Sequence, residues 1–512
     1  MKRLPLWMGF LTAAAMALTQ APVGFVRDEG YYFTAAQSYE GWLRALPGSL
    51  GETERYWSIN SEHPGLAKLL FAGSHLLFST WLRVLPDALA WRLPAFIFAG
   101  LLSYWLSLLA LRRSRAAAVL APLLFWCAER TFFHGHLAAF DVPICALTAG
   151  VAVAWLRVAS PPESRGPKEL LWLAFIYGCA LATKHNAWFL PPVLLVHALL
   201  LPRPDRSRAL RALPVLLLSP LVLFAAWPLL WHDPLRHLAD WVAFHLHHVH
   251  YAWEYLGREL RAPPFPIEYP LVVDALALPL PAVALYALAG ASLLIGFARR
   301  RLDPGRLLEL GLAGAAVLPF MLRTTPIFGG LKHWLVFLAL LAPEAAGLLV
   351  HIAERSGIRR ALPLAAAAAL LPGVWQILHV HPYGTSAYGE LAGDIPGAAS
   401  LGMQRQYWSN NVTGVLPWLN AHCPPDARVY FHEVNIESYR AYLQAGLLRA
   451  DIRYAAGPDD AQYAALQWHR EFRDREPETW NAFGTRRPAF GLYLDETPQV
   501  IVYARPGLPG AP

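Results

Sequence analysis

Apolar runs of about twenty residues, broken by short polar stretches rich in arginine, recur from Leu4 to about Val380. A helix needs ~20 consecutive apolar residues to cross a bilayer core. The pattern therefore predicts spans at about 4–26, 88–111, 115–133, 138–157, 169–186, 188–202, 209–231, 271–298, 307–323, 331–353 and 359–380. Residues 62–82 are also apolar, but Lys68 and His75 interrupt them. After His381 the texture changes to short alternating runs with charges, Asn, Gln and Tyr. Strands are predicted at 427–434, 451–455, 490–495 and 499–504, with helices at about 436–448 and 459–476, a small α/β domain. The expectation is an all-α polytopic membrane domain (1–380) followed by a soluble α/β domain (381–512).

Composition agrees. The 512 residues are 56% apolar and 15% charged, with mean hydropathy +0.33, against about 45–50% and about 25% for soluble domains. The net charge of +7 sits in short loops between spans, the mark of membrane orientation rather than of nucleic-acid binding. If the clusters at Lys2-Arg3, Arg112-Arg113-Arg115, Arg157/Arg165/Lys168, Arg203–Arg211, Arg299–Arg306 and Arg355–Arg360 all face the cytoplasm, an even number of spans separates each from the next. Three apolar segments lie between Lys2 and Arg112, so one does not cross. Segment 62–82 is the weakest, because a lysine at mid-bilayer is costly, and it reads as an interfacial amphipathic helix. Eleven spans result, with the amino terminus inside. Loops 27–87 and 232–270 and the tail lie outside the cytoplasmic (inner) membrane. The first run continues to Val26 without a small-residue cleavage site and is expected to stay as an anchor. Four scattered cysteines show neither a disulfide framework nor zinc spacing.

Candidate chemistry gathers on the outer side. Asp28 and Glu29 stand where the chain leaves the first span; a carboxylate there serves as a general base or caps the helix that follows. His63 and Lys68 come to the same interface, where a lysine neutralises a phosphate or snorkels to headgroups. Asp141, Lys184, Lys332 and His333 fall at outer ends of spans, where charges default to functional candidates or to structural ion pairs. In loop 232–270 six histidines, with His250 and Glu254 one helical turn apart, invite a metal reading, but no HExxH is present. Contact with lipid phosphate or sugar fits better, with Arg258 and Arg261 as phosphate partners. Trp241, Trp253, Tyr251 and Tyr255 read as an interfacial aromatic belt.

The stretches "RDEGYY", "EHPGLAK", "WRLPAFIFAG", "HGHLAAFDVP", "LATKHNAWFLPP", "GGLKHWLVFLALLAP", "YLGRELRAPPFPIEYP" and "HPYGTSAYGELAGD" with "QYWSNN" occur in order along the chain. Together they resemble the GT-C superfamily of membrane glycosyltransferases, in its protein O-mannosyltransferase and aminoarabinose-transferase branch. The resemblance implies that Asp28 is the base activating the acceptor, with Glu29 its partner. It implies a substrate or donor-phosphate role for His63, Lys68, Arg92, Asp141, Lys184, Lys332 and His333. Gly65 stands where the family's His-Pro-Pro stretch has its second proline. The implied reaction moves a sugar from a polyprenyl-phosphate donor to an extracytoplasmic glycolipid, polysaccharide or protein by one inverting displacement. It requires no cofactor, and a divalent metal stays open. The implied partners are the lipid donor, the acceptor and membrane lipids, with no nucleic acid. The rival reading is a polytopic transporter or flippase; against it, the charges gather on one face and no internal repeat is apparent.

Overall fold

The computed structural model describes residues 3–159, 166–358 and 360–512. Among them six helices are long and apolar enough to cross a membrane: Asp87–Leu111, Asp141–Ala159, Arg203–Ala226, Leu280–Ala298, Gly330–Arg355 and Ala361–Val380. Helices Arg115–Trp126 and Glu129–His136 make a seventh if counted as one span bent by 83°. Helices at four other expected positions are shorter: Leu4–Thr19, Pro167–Leu181, Leu190–Leu200 and Pro304–Val317. The chain is a polytopic membrane protein with a small sheet region.

Two breaks shape the site. At the 83° bend Ala128 is extended, and the Thr131 hydroxyl lies within hydrogen-bond distance of the carbonyls of Phe125 (2.5 Å) and Ala128 (2.9 Å), the latter also accepting the Phe132 amide. A side chain inserted into the helical ladder is a standard cause of a kink. The expected span 271–298 likewise divides into Tyr269–Ala277 and Leu280–Ala298. Leu278 is extended, as residues before proline tend to be.

The doubtful segment 62–82 forms a nine-residue helix, Leu66–Ser74, running into a π-helical turn at His75–Trp81. It packs between the first-loop helix Arg27–Arg44 and the start of Asp87–Leu111, to which Ser74 Oγ donates at Ala90 O (2.6 Å). At the far end of the bundle Arg113 pairs with Glu309 and Glu344, and Arg306 with Glu344. Arg92 stands near the start of helix Asp87–Leu111, and Arg113 follows its other end. The candidate residues and the basic loops therefore lie at opposite ends of the bundle.

Loop 232–270 contains helix Pro234–Leu246 and a hairpin, β1 (Trp253–Tyr255) and β2 (Arg258–Leu260). Glu254 is in a strand, so it and His250 are not a helical turn apart. The tail holds a five-stranded sheet built from β3 (Arg428–Phe431), β4 (Arg453–Ala455), β5 (Tyr463–Gln467), β6 (Phe490–Leu494) and β7 (Thr497–Ala504). Its order is β4-β3-β5-β7-β6, with β3 parallel to β4 and β5 and the remaining pairs antiparallel. The helix expected at 459–476 is corrected: β5 occupies the middle of it, and the helix comes at Arg475–Phe483. "YAALQ" has helical composition, yet all five residues are buried in the centre of the sheet, where a strand covered on both faces shows no alternation. The stretch before the sheet turns back toward the bundle: Trp408 O accepts the Arg27 amide (2.9 Å), and one apolar core runs from the first helix into the sheet.

Candidate active site

Asp28 and Glu29 are adjacent, and successive positions on a helix point about 100° apart. Glu29 turns inward and is fully buried. Its carboxylate accepts from Arg92 Nε (2.8 Å) and Nη2 (2.7 Å) and from the amides of Val26 (3.2 Å) and Ala138 (2.9 Å). Arg92 spends its other donors on Val23 O (2.9 Å) and Gly24 O (2.7 Å). The capping role weighed for the acidic pair thus belongs to Glu29, and the Glu29–Arg92 pair sits behind the site with four of the five guanidinium N–H groups engaged. Asp28 remains about a quarter exposed and lies 3.4 Å from Lys332 Nζ.

Lys332 follows Gly329 and Gly330, whose φ values of +79° and +61° favour glycine; a Cβ on Gly329 would meet Lys332 Cε at 2.4 Å. The turn lays the buried ammonium 4.0 Å from the Trp408 ring centroid. Asp141, at the start of its helix, holds Lys184 Nζ at 2.6 Å, both side chains buried, and lies within electrostatic reach of Lys332 and His134. His134 Nε2 meets the Tyr407 hydroxyl at 3.2 Å.

Lys68 is fully buried and donates to Asn60 O (2.5 Å), His63 O (3.0 Å) and Asn60 Oδ1 (3.3 Å). Burial pulls its ammonium down to about 7, against the pull of Glu62. Those acceptors employ all three protons in clamping the turn that carries His63, and Lys68 is not aimed at Asp28. The His63 ring packs 4.9 Å from Phe140, 6.1 Å from Tyr32 and 5.7 Å from His245. Gly65 lies in a close-packed seam: a Cβ there would stand 2.6 Å from Ala226 O and 2.8 Å from Trp57. His333 stacks on Phe320, ring centroids 5.5 Å apart.

The structure therefore brings together Asp28, His63, Asp141, Lys184, Lys332 and His333, places Glu29–Arg92 behind them, and uses Lys68 as a clamp. Sequence reasoning assigned no role to Arg130, His134, Tyr407 or Trp408. Arg130 is buried, donates to Ala387 O (2.7 Å) and lies over Tyr388, 4.3 Å from its ring centroid. The signal was at hand: "HGHLAAFDVP" contains His134, and "QYWSNN" contains Tyr407 and Trp408. The expected aromatic belt is corrected. Trp241, Trp253 and Tyr255 are buried against neighbouring rings, and of the four only Tyr251 is exposed. Arg261 pairs with Glu259 (2.5 Å), and both Arg258 and Arg261 face solvent. In the tripeptide Asn411-Val412-Thr413, which fits the glycosylation sequon, Asn411 is buried and its Nδ2 donates to Ser386 Oγ (2.8 Å). Among the described residues no group of three or more His, Cys, Asp or Glu side chains is arranged to hold a metal ion.

No protein-family model and no curated protein matches the chain. Among solved structures, ArnT from Cupriavidus metallidurans in the apo state matches with a TM-score of 0.53 at 15% identity, over 96% of this chain and 97% of that one. The same protein bound to undecaprenyl phosphate matches with a TM-score of 0.51 at 15% identity and the same coverage. A looser match is AglB from Archaeoglobus fulgidus, in complex with an inhibitory peptide and a dolichol-phosphate, with a TM-score of 0.48 at 12% identity over 90% of this chain and 69% of that one. The chain shares the fold of these ArnT structures.

Proposed function

We propose that this chain is an integral membrane glycosyltransferase that moves a sugar from a polyprenyl-phosphate donor to an acceptor hydroxyl on the outer side of the cytoplasmic membrane. The observation that carries the reading is one part-exposed carboxylate, Asp28, held 3.4 Å from a buried lysine beside a second Lys–Asp pair, at one end of a membrane bundle. The likeness in fold to ArnT, whose solved complex contains undecaprenyl phosphate, supports it.

The chemistry follows from the charges. A lipid phosphate entering beside Lys332 competes with Asp28 for its ammonium, which frees the carboxylate to act as base. Asp28 takes the proton of the acceptor hydroxyl as that oxygen attacks the anomeric carbon. The bond from that carbon to the phosphate oxygen breaks, and the leaving phosphate carries its electron pair toward Lys332 and Lys184. Cations already in place, in a site with little water, stabilise such developing charge without reorganising. Asp141 orients Lys184, and Glu29–Arg92 fixes the helix that carries the base. His63 and His333 line the site as uncommitted hydrogen-bonding groups.

In this reading residues 1–380 form the transferase domain of eleven spans, with its site and the tail outside. Residues 381–512 form the outer domain that closes one wall through Trp408. The test uses purified full-length protein in lipid nanodiscs with undecaprenyl-phosphate-linked sugars. Turnover lost in Asp28→Asn, with affinity for undecaprenyl phosphate retained, is the expected result. Unchanged turnover would remove Asp28 as the base, and lipid-linked sugar crossing the bilayer of sealed proteoliposomes without sugar transfer would favour a transporter.

A further inference from the structure

Beside the Lys184–Asp141 pair runs a band of buried hydrogen-bonding atoms that find no partner among the described residues. They include His63 Nδ1, His185 Nδ1, Asn186 Oδ1, His245 Nε2 and Trp241 Nε1. Buried polar atoms are paired in the large majority of cases, so a cluster of unpaired ones marks something they bind. The groups are contiguous. The rings of His185 and His245 are 4.0 Å apart, and His63 lies 5.7 Å from His245. Trp188 stands 5.8 Å from His185, 5.6 Å from His245 and 4.9 Å from Trp241. The band adjoins the proposed chemistry on two sides: Lys184 directly precedes His185, and Tyr32, one turn beyond Asp28, packs 4.1 Å from Phe140, which in turn contacts His63.

The chemistry of the band is uniform. Burial, with His245, Lys68 and Lys184 nearby, holds the His63 imidazole well below its ordinary range, and burial pulls His245 down to about 4. These groups are uncharged donors and acceptors flanked by indole faces. A phosphate is held by cations, and a polyprenyl chain would leave the polar atoms unsatisfied. A sugar ring offers several uncharged hydroxyls for the imidazoles and the amide, and an apolar C–H face for the indoles.

We infer that this band is a subsite for a sugar ring with uncharged hydroxyls, set beside the phosphate-neutralising lysines. The inference rests on the glycosyltransferase reading, and the ring is that of the lipid-linked donor or that of the acceptor. Full-length protein in nanodiscs is titrated, with intrinsic tryptophan fluorescence as readout. The probes are undecaprenyl phosphate alone, the same lipid carrying glucose, galactose, mannose or 4-aminoarabinose, and soluble oligosaccharides of the three hexoses.

If the ring is the donor's, one hexosylated lipid binds about tenfold tighter than the bare lipid, a gain on the scale of one or two net hydrogen bonds. The gain then falls below about twofold in His245→Ala and Asn186→Ala. If the ring is the acceptor's, a soluble hexose oligosaccharide binds saturably and loses that binding in the same variants. Unaltered affinity for the bare lipid shows that the variants fold, and His245→Gln, which keeps a donor and an acceptor, recovers part of the gain. The inference is overturned if no hexose probe shows a sugar-dependent response, if the variants weaken bare and sugar-bearing lipid equally, or if the 4-aminoarabinose lipid alone is preferred. Wild-type protein that binds no undecaprenyl phosphate and transfers no sugar would instead sink the transferase reading, with the soluble-saccharide titrations still reporting on the subsite.

Discussion

Two neighbouring carboxylates at the end of the first span have different fates, and the difference is a matter of helix geometry. Glu29 faces Arg92 and two backbone amides, whereas Asp28 faces Lys332. Asp28→Asn is expected to lower turnover by about a hundredfold or more, the lower end of what a general base contributes, with the melting temperature unchanged. Glu29→Gln should instead cost about 3 kcal/mol or more of stability, because Arg92 is left charged and buried against a partner that no longer balances it. A thermal melt and a turnover assay on both variants settle the assignment. If Glu29→Gln melts like wild type and still loses turnover, the roles are reversed. The sequence singled out this pair and its cations as candidates, but adjacency could not say which acid is sealed. Lys68 teaches the same lesson, since only the fold shows its three protons committed to Asn60 and His63.

At the scale of elements, two glycine-bearing turns aim the site. The Gly329-Gly330 turn delivers Lys332 through backbone angles unfavourable to other residues. Gly329→Ala is expected to displace the lysine and lower turnover by about ten- to a hundredfold, the range a displacement near 1 Å commands. An unchanged steady-state rate would show that the turn has slack. Gly65→Ala should lower the melting temperature, since its methyl would strike Ala226 O and Trp57 across a packed seam. The apolar periodicity placed the spans because hydrocarbon imposes a strong length rule. It missed the bend after Trp126 and the division at Pro279, which arise from local capping and packing. Strand β5 was misread for a related reason: burial on both faces erases the alternation that marks a strand.

The whole molecule closes the site with a residue from far along the chain. Trp408 lies 4.0 Å from the Lys332 ammonium, and a desolvated cation–π contact is worth about 2 kcal/mol. Trp408→Ala should therefore weaken binding of undecaprenyl phosphate by about an order of magnitude in a direct titration, and an unaltered affinity would argue against the shared wall. The tail after His381 also grips loop 232–270. Gln404 accepts the Glu254 amide (2.8 Å) and donates to Glu471 (3.2 Å), whose carboxyl burial raises to about 8 from 4.5. The folded state then binds a proton that the unfolded chain gives up, so this contribution to stability is present at low pH and is lost as pH rises from about 4.5 through about 8. Thermal melts across that range should show the decline, and Glu471→Gln should flatten it. An identical slope in the variant would assign the dependence to other groups.

What the chain alone settled is what the solvent enforces. Apolar length and the return of polar texture after His381 distinguish a bundle of apolar helices from a polar tail that carries the sheet, because water and hydrocarbon sort residues whatever the fold. Tertiary structure decided which charges meet. Asp28 with Lys332, Glu29 with Arg92 and Asp141 with Lys184 are pairs between segments far apart in the chain, and no periodicity records who stands opposite whom in the fold.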